Sequence, residues 1–151
     1  MSTRQKAKPE LPFEATLFVR DNCLCLHVQR AARALARRFD EALRPLDLTH
    51  GQFSLLTSLN RPEPPTLGSV ATLLAMDRTT LTANLKPLER RGLVKIAVDG
   101  QDKRSRRLGI TAAGRALLPQ AFPVWKETHA GIDREMGGDV ENLRTALRAL
   151  A

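Results

Sequence analysis

Long apolar runs are missing from this chain of 151 residues. No uninterrupted stretch approaches the roughly 18 residues a membrane helix needs, so a spanning helix is not expected. The N-terminal stretch is basic at Arg4, Lys6 and Lys8, but Glu10 and Glu14 place charge where an apolar core would have to begin. A signal-peptide core is therefore not expected, and the chain reads as cytoplasmic. Cysteine is scarce: the two present, spaced Cys23-Leu24-Cys25, do not form a disulfide framework. Tyrosine is absent altogether. There is no Walker loop, nucleophile elbow, zincin histidine pair or dinucleotide fingerprint, so an enzyme has no visible catalytic motif here. No cofactor or metal site is expected, and no repeat or low-complexity segment occurs.

What is present is positive charge, unevenly spread. The net charge is +8. Residues 78–107 hold nine basic side chains, from Arg78 to Arg107 and including Arg90, Arg91, Lys95 and Lys103, against Glu89, Asp99 and Asp102. Three quarters of the net charge thus lies in thirty residues, the electrostatic footprint of a nucleic-acid surface. A solubilising basic face would be the plainer reading if no motif coincided with it.

Read along the chain, residues 1–12 are polar and proline-punctuated, a flexible tail. From there to about Arg44 one long helical pattern is expected, with Leu24, Val28, Ala31, Leu35, Phe39, Ala42 and Leu46 forming a stripe that needs a partner. Pro45 marks its end. Thr49-His50-Gly51-Gln52 fits a capping box and opens a second helix, whose Phe53, Leu56 and Leu59 face inward. The run Arg61-Pro62-Glu63-Pro64-Pro65 is a rigid stop. Thr66 caps a short helix and Asp77 the next, in which Leu81, Leu85 and Leu88 turn inward. Gly92 closes that helix in the left-handed conformation. Strands are expected at Val94–Val98 and Arg106–Ile110, joined by a polar loop. Thr111 caps a helix that Pro119 and Pro123 should interrupt or kink before Trp125. Asp139 caps a last helix with Val140, Leu143, Leu147 and Leu150 on one side.

Two short helices around a tight turn, the second bearing small polar and basic residues, read as a helix-turn-helix. Short side chains such as Thr79, Thr80 and Thr82 let a helix backbone approach base edges. Asn84 suits an adenine edge, and Arg78 or Lys86 a guanine edge or a phosphate. The basic hairpin immediately after it makes this a winged version.

The blocks Leu48-Thr-His-Gly-Gln-Phe-Ser-Leu-Leu56, Met76-Asp-Arg-Thr-Thr-Leu-Thr-Ala-Asn-Leu-Lys-Pro-Leu-Glu-Arg-Arg-Gly-Leu-Val94 and Asp102-Lys-Arg-Ser-Arg-Arg-Leu-Gly-Ile-Thr-Ala-Ala-Gly-Arg115 resemble the MarR family of bacterial regulators. The resemblance implies a mainly α fold with a small β-hairpin wing, organised as a single domain over 1–151. A winged helix-turn-helix lobe would span 48–111, with dimerisation helices at 13–47 and 112–151. It implies a homodimer reading an inverted repeat in double-stranded DNA. Arg78, Thr79, Thr80, Thr82 and Lys86 match the major-groove helix of the family. Arg104, in the Asp-x-Arg wing motif, would reach the minor groove with Asp102 bracing it, and Arg106 lies beside it. Most relatives repress, and release DNA when a small lipophilic effector or an oxidant acts. Pro87 departs from the expected pattern and should bend the recognition helix late. A winged-helix adaptor that has lost DNA binding is the alternative from another class; the wing arginines speak against it.

Asn22-Cys23-Leu24-Cys25 also resembles the family's organic-peroxide sensors, which places Cys25 at the sensing position. Those sensors use tyrosines to hydrogen-bond the thiolate, whereas Phe39 and His50 stand at the corresponding positions here. Cys23 and Cys25 are thus either redox-active, with His50 as a substitute donor, or small apolar fillers; the sequence leaves both open. Two residues apart on one helix, the two cysteines could not pair with each other. Cys23 and His27 share a helical face, but two ligands do not make a zinc site. Trp125, His129 and His50 are candidates for an effector pocket.

Overall fold

The computed structural model describes residues 10–151. The expected tail therefore falls mostly outside the described residues; Glu10 to Pro12 carry no regular structure. The described residues divide into two compact units, the boundary falling between Leu35 and Ala36.

The long first helix is two helices. Helix α1 covers Phe13–Asn22 and α2 covers Leu24–Leu43. Between them Cys23 is extended, with φ −72° and ψ 105°, and its N–H donates to the Val19 carbonyl. The Asn22 amide turns back to the Phe18 carbonyl at 2.8 Å, and the Cys23 Sγ accepts the N–H of Leu26 at 3.4 Å. Side chains that offer the backbone such local bonds compete with the helical ladder, and a periodic apolar stripe does not register that competition.

After α2 a 3-10 turn at Arg44–Leu46, with Pro45 near its start, leads to Asp47 in the left-handed region at φ 54°. Helix α3, His50–Ser58, begins with the expected capping box. Thr49 Oγ1 accepts from the Gln52 N–H at 3.2 Å, while Gln52 Oε1 accepts from the Thr49 N–H at 3.0 Å. Asp40 on α2 adds a third bond, accepting the His50 N–H at 2.6 Å. Helices α4 (Leu67–Leu73) and α5 (Arg78–Arg90) are capped by Thr66 and Asp77 as expected. Gly92, at φ 70°, ends α5, with the Gly92 N–H on Glu89 and the Leu93 N–H on Leu88. This double bond satisfies the last carbonyls of the helix. Helix α5 continues three residues past Pro87. The carbonyl that loses its partner there belongs to Ala83, on an exposed turn open to solvent.

Strands β1 (Val94–Val98) and β2 (Arg106–Ile110) pair antiparallel, Val94 opposite Ile110 and Val98 opposite Arg106. Helix α6 runs unbroken from Ala112 to Glu135, so Pro119 and Pro123 do not interrupt it. Both prolines are exposed, as are Arg115 and Pro119, whose carbonyls lose their partners. The opposite face keeps the helix in place by burying Leu118, Ala121 and Ile132. Helix α7 covers Val140–Arg148. Asp139 stands at its cap position without capping; its carboxylate takes the Asn142 side-chain amide at 2.5 Å instead.

The core belongs to the second unit and is rich in leucine. Leu43, Leu55, Leu56, Leu59, Leu81, Leu85, Leu88 and Leu108 are fully buried. Each contributes about 1.5–3 kcal/mol through burial. This core holds α3, α4, α5 and the hairpin against the start of α6.

Candidate nucleic-acid interface

Burial sorts the two faces of α5. Leu81, Leu85 and Leu88 point into the core, and Arg78, Thr79, Thr80, Thr82, Ala83, Asn84 and Lys86 are exposed. Arg78, Thr79, Thr82, Ala83 and Lys86 line one shallow depression of about 340 Å³ along the helix. The hydroxyls are partly engaged within the helix. Thr80 Oγ1 donates to Asp77 Oδ2 at 2.7 Å, and Thr82 Oγ1 donates to the Arg78 carbonyl at 2.7 Å. What those threonines present outward is a methyl group and acceptor lone pairs, suited to thymine methyls and exocyclic amines. The Asn84 amide donates toward Met76 Sδ at 3.5 Å, back along the turn that precedes α5. Asp77 is held below the ordinary carboxylate range by the Thr80 backbone N–H and then by the Thr80 hydroxyl.

The wing loop, residues 99–105, is shaped by two aspartates. Asp102 Oδ1 accepts the backbone N–H of Arg104 at 2.9 Å. Its bracing of Arg104 is thus a bond to the main chain, which leaves the guanidinium exposed. Asp99 is buried, 8% exposed, beneath the loop. Its Oδ1 accepts from the Gln101 N–H at 3.0 Å and its Oδ2 from Arg107 Nε at 3.0 Å. The Gln101 N–H, opposed by desolvation and helped by the Arg107 guanidinium, keeps the Asp99 carboxyl below the ordinary range.

The structure brings wing and helix together. Arg78, Arg104, Arg106 and Asp102 line one groove of about 240 Å³ with Thr66, the cap of α4, and Gly68 within it. A Cβ built on Gly68 would lie 3.1 Å from Arg78 Nη2, so a side chain there would press on that guanidinium where it now lies against α4. Sequence reasoning passed over Gly68, Asp99 and Arg107. Asp99 read only as part of the polar loop between the strands, and no local spacing reveals that Arg107 reaches a carbonyl 43 residues earlier in the chain.

The cysteines belong to the first unit and His50 to the second. Cys25 is exposed, and its Sγ accepts the Gln29 side-chain amide at 3.2 Å. Cys23 is half-buried and lies outside both helices, which removes the helical geometry expected to keep it from Cys25. His27 Nδ1 lies 2.8 Å from the Cys23 carbonyl oxygen. His50 tilts on the Phe39 ring at 5.4 Å, and Phe39 also meets His129 at 6.4 Å. Trp125 contacts His129 and stacks on Phe53 and Phe122. Phe53 and Phe122, with Thr57, Asn60 and Arg115, line an apolar groove of about 410 Å³. Among the described residues no helix is long and apolar enough to cross a membrane, and no cluster of three or more metal-ligating side chains occurs.

Comparison with known proteins places these features among bacterial regulators. Residues 48–105 match the profile described as the MarR family. The organic hydroperoxide resistance transcriptional regulator of Bacillus subtilis is 28% identical, over 86% of this chain and 88% of that protein. The crystal structure of the Mycobacterium tuberculosis transcriptional regulator MosR in complex with DNA superposes with a TM-score of 0.71 at 36% identity, over 85% of this chain and 98% of that one. A cysteine-to-serine mutant of MarR from E. coli, complexed with operator DNA, gives a TM-score of 0.78 at 26% identity, over 89% and 97% of the two chains.

Proposed function

The chain belongs to the MarR family, and from that premise we propose that it binds operator DNA as a homodimer and represses transcription until a small effector releases it. It is a DNA-binding transcriptional regulator with a winged helix-turn-helix. One observation carries the assignment of contacts: the recognition-helix Arg78 and the wing residues Arg104 and Arg106 line a single groove. In this reading Arg78, Thr79, Thr80, Thr82, Asn84 and Lys86 enter the major groove, and Arg104, with Asp102 and Arg106 beside it, reaches the adjacent minor groove. Residues 48–111 form the reading lobe, and 13–47 with 112–151 supply the dimer. The working compartment is the cytoplasm. The apolar groove lined by Phe53 and Phe122, the two rings on which Trp125 stacks, suits an aromatic effector, although Trp125, His129 and His50 do not themselves line it. The test is fluorescence anisotropy at moderate salt on duplexes recovered by in vitro selection. Binding to selected duplexes well above random DNA is expected; equal binding to both refutes the reading.

A second reading, peroxide sensing at Cys25, is favoured by the exposed thiol and by the named role of the Bacillus relative. A sulfenate at Cys25 would be a bulkier polar group in a helix made for packing. Loss of DNA binding after an organic hydroperoxide, abolished by Cys25→Ser but not by Cys23→Ser, is the expected result. Wild type that stays bound when fully oxidised eliminates it.

A further inference from the structure

Arg107 does more than add charge. Its Nε donates to Asp99 Oδ2 at 3.0 Å, and its Nη1 donates to the Pro64 carbonyl at 3.0 Å. Its backbone bridges Thr66, and the next residue, Leu108, donates its N–H to the Pro65 carbonyl at 2.9 Å. The guanidinium therefore spans two places: the carboxylate under the wing loop, and the proline strap that leads into α4. Asp99 in turn organises the loop, accepting from Gln101 and donating its own N–H to the Ser105 carbonyl at 3.1 Å. A planar fork whose donors point in fixed directions can hold two acceptors at a set angle, which a single ammonium cannot. The strap suits the task, since consecutive prolines fix its backbone.

We infer that Arg107 is a positioning residue for DNA binding: latched between Asp99 and Pro64, it sets the angle of the wing to α5, so that Arg104 and Arg78 reach the duplex together. The inference rests on the reading that Arg104 contacts DNA. Arg107 acts through Arg104 and does not itself meet a phosphate.

Charge and position predict opposite results at Asp99. Asp99→Asn removes a negative charge beside a DNA-binding surface, which by electrostatics alone tightens binding. Loss of the latch weakens it. The probe is a labelled duplex selected on the wild-type dimer, with melting temperature followed for every variant. Arg104→Ala and Arg107→Met are each expected to lower affinity about tenfold, as loss of one good contact does. The double variant should bind within about threefold of the weaker single variant, because groups that act through one another are not additive. Asp99→Asn should also weaken binding. Arg107→Lys should bind like Arg107→Met, since the fork is lost while the charge remains; this variant serves if Asp99→Asn fails to fold. Multiplying losses in the double variant, tighter binding by Asp99→Asn, or wild-type affinity in Arg107→Lys would each overturn the inference. If Arg104→Ala itself binds like wild type, the wing reading fails first.

Discussion

Arg104 stands on an exposed loop, with its main chain fixed by Asp102 and its side chain free of the core. Truncating it should therefore cost contacts rather than packing. For Arg104→Ala we expect an unchanged melting temperature and a clear fall in duplex affinity, together with a shallower salt dependence if the contact is electrostatic. Unchanged affinity would remove the wing from the mechanism. Asp99 lies under the same loop and makes the opposite prediction, a stability effect that depends on pH. Its carboxyl is held below the ordinary value of 3.8 in the fold, first by the Gln101 N–H. A depressed carboxylate stabilises the fold above its unfolded-state pKa and loses that contribution as pH falls through the folded value. The melting-temperature gap between wild type and Asp99→Asn should be widest near neutral pH and close on acidification below the ordinary carboxylate range. A gap that is independent of pH would show that charge plays no part in holding the loop.

At the scale of elements, two glycines on helices make contrasting tests. A Cβ on Gly114 would press into the Leu93 carbonyl and the Ile110 side chain, where the start of α6 docks on the link between α5 and β1 and on β2. Thr111 fixes that docking through its N–H to the Leu93 carbonyl at 3.0 Å and its hydroxyl to the Gly92 carbonyl at 2.6 Å. Although alanine favours a helix, Gly114→Ala should destabilise by about 1–3 kcal/mol, the usual cost of overpacking, seen as a lower denaturant midpoint. Gly68→Ala meets only the far end of Arg78, so it should hold or raise stability while lowering DNA affinity. The winged lobe was legible from sequence because its signals are local: the capping box at Thr49, the caps at Thr66 and Asp77, the Gly92 terminator, and the alternation that placed both strands. The break at Cys23 was not, because the apolar stripe runs through it and competing backbone bonds leave no periodic trace. The interruption expected at Pro119 and Pro123 does not occur, for a related reason. A proline removes one helical N–H, and the carbonyls left without it, those of Arg115 and Pro119, lie on an exposed face open to solvent. The Arg107 latch joins residues 43 apart, beyond any local pattern.

For the whole molecule, the apolar surface left uncovered decides the state of assembly. Phe18 is 68% exposed, Leu24 60% and Leu150 66%, and Val28, Leu35, Leu143 and Leu147 are each more than a third exposed. They lie on α1, on α2 as far as Leu35, on α7 and, at Leu150, two residues beyond it, the segments expected to form the dimer. A single chain has left these positions in water, where they favour association roughly in proportion to the apolar area removed. Helix α7 makes the point within one element: Val140 is buried, whereas Leu143 and Leu147, three and seven residues on, are not. One turn is anchored on its own chain, and the rest of the stripe is free for a second copy. Dimerisation also serves the reading of DNA, since two lobes reach half-sites about 34 Å apart where one lobe reaches a single site. Sedimentation at micromolar concentration should therefore give twice the chain mass, with no folded monomer. Replacing Leu143 and Leu147 by lysine should lower the association constant and the affinity for a palindromic duplex together, while the affinity for an isolated half-site changes far less. A folded wild-type monomer at that concentration would contradict the dimer. A lysine variant that sediments as a monomer yet keeps full palindrome affinity would contradict paired reading, and would return each lobe to acting alone.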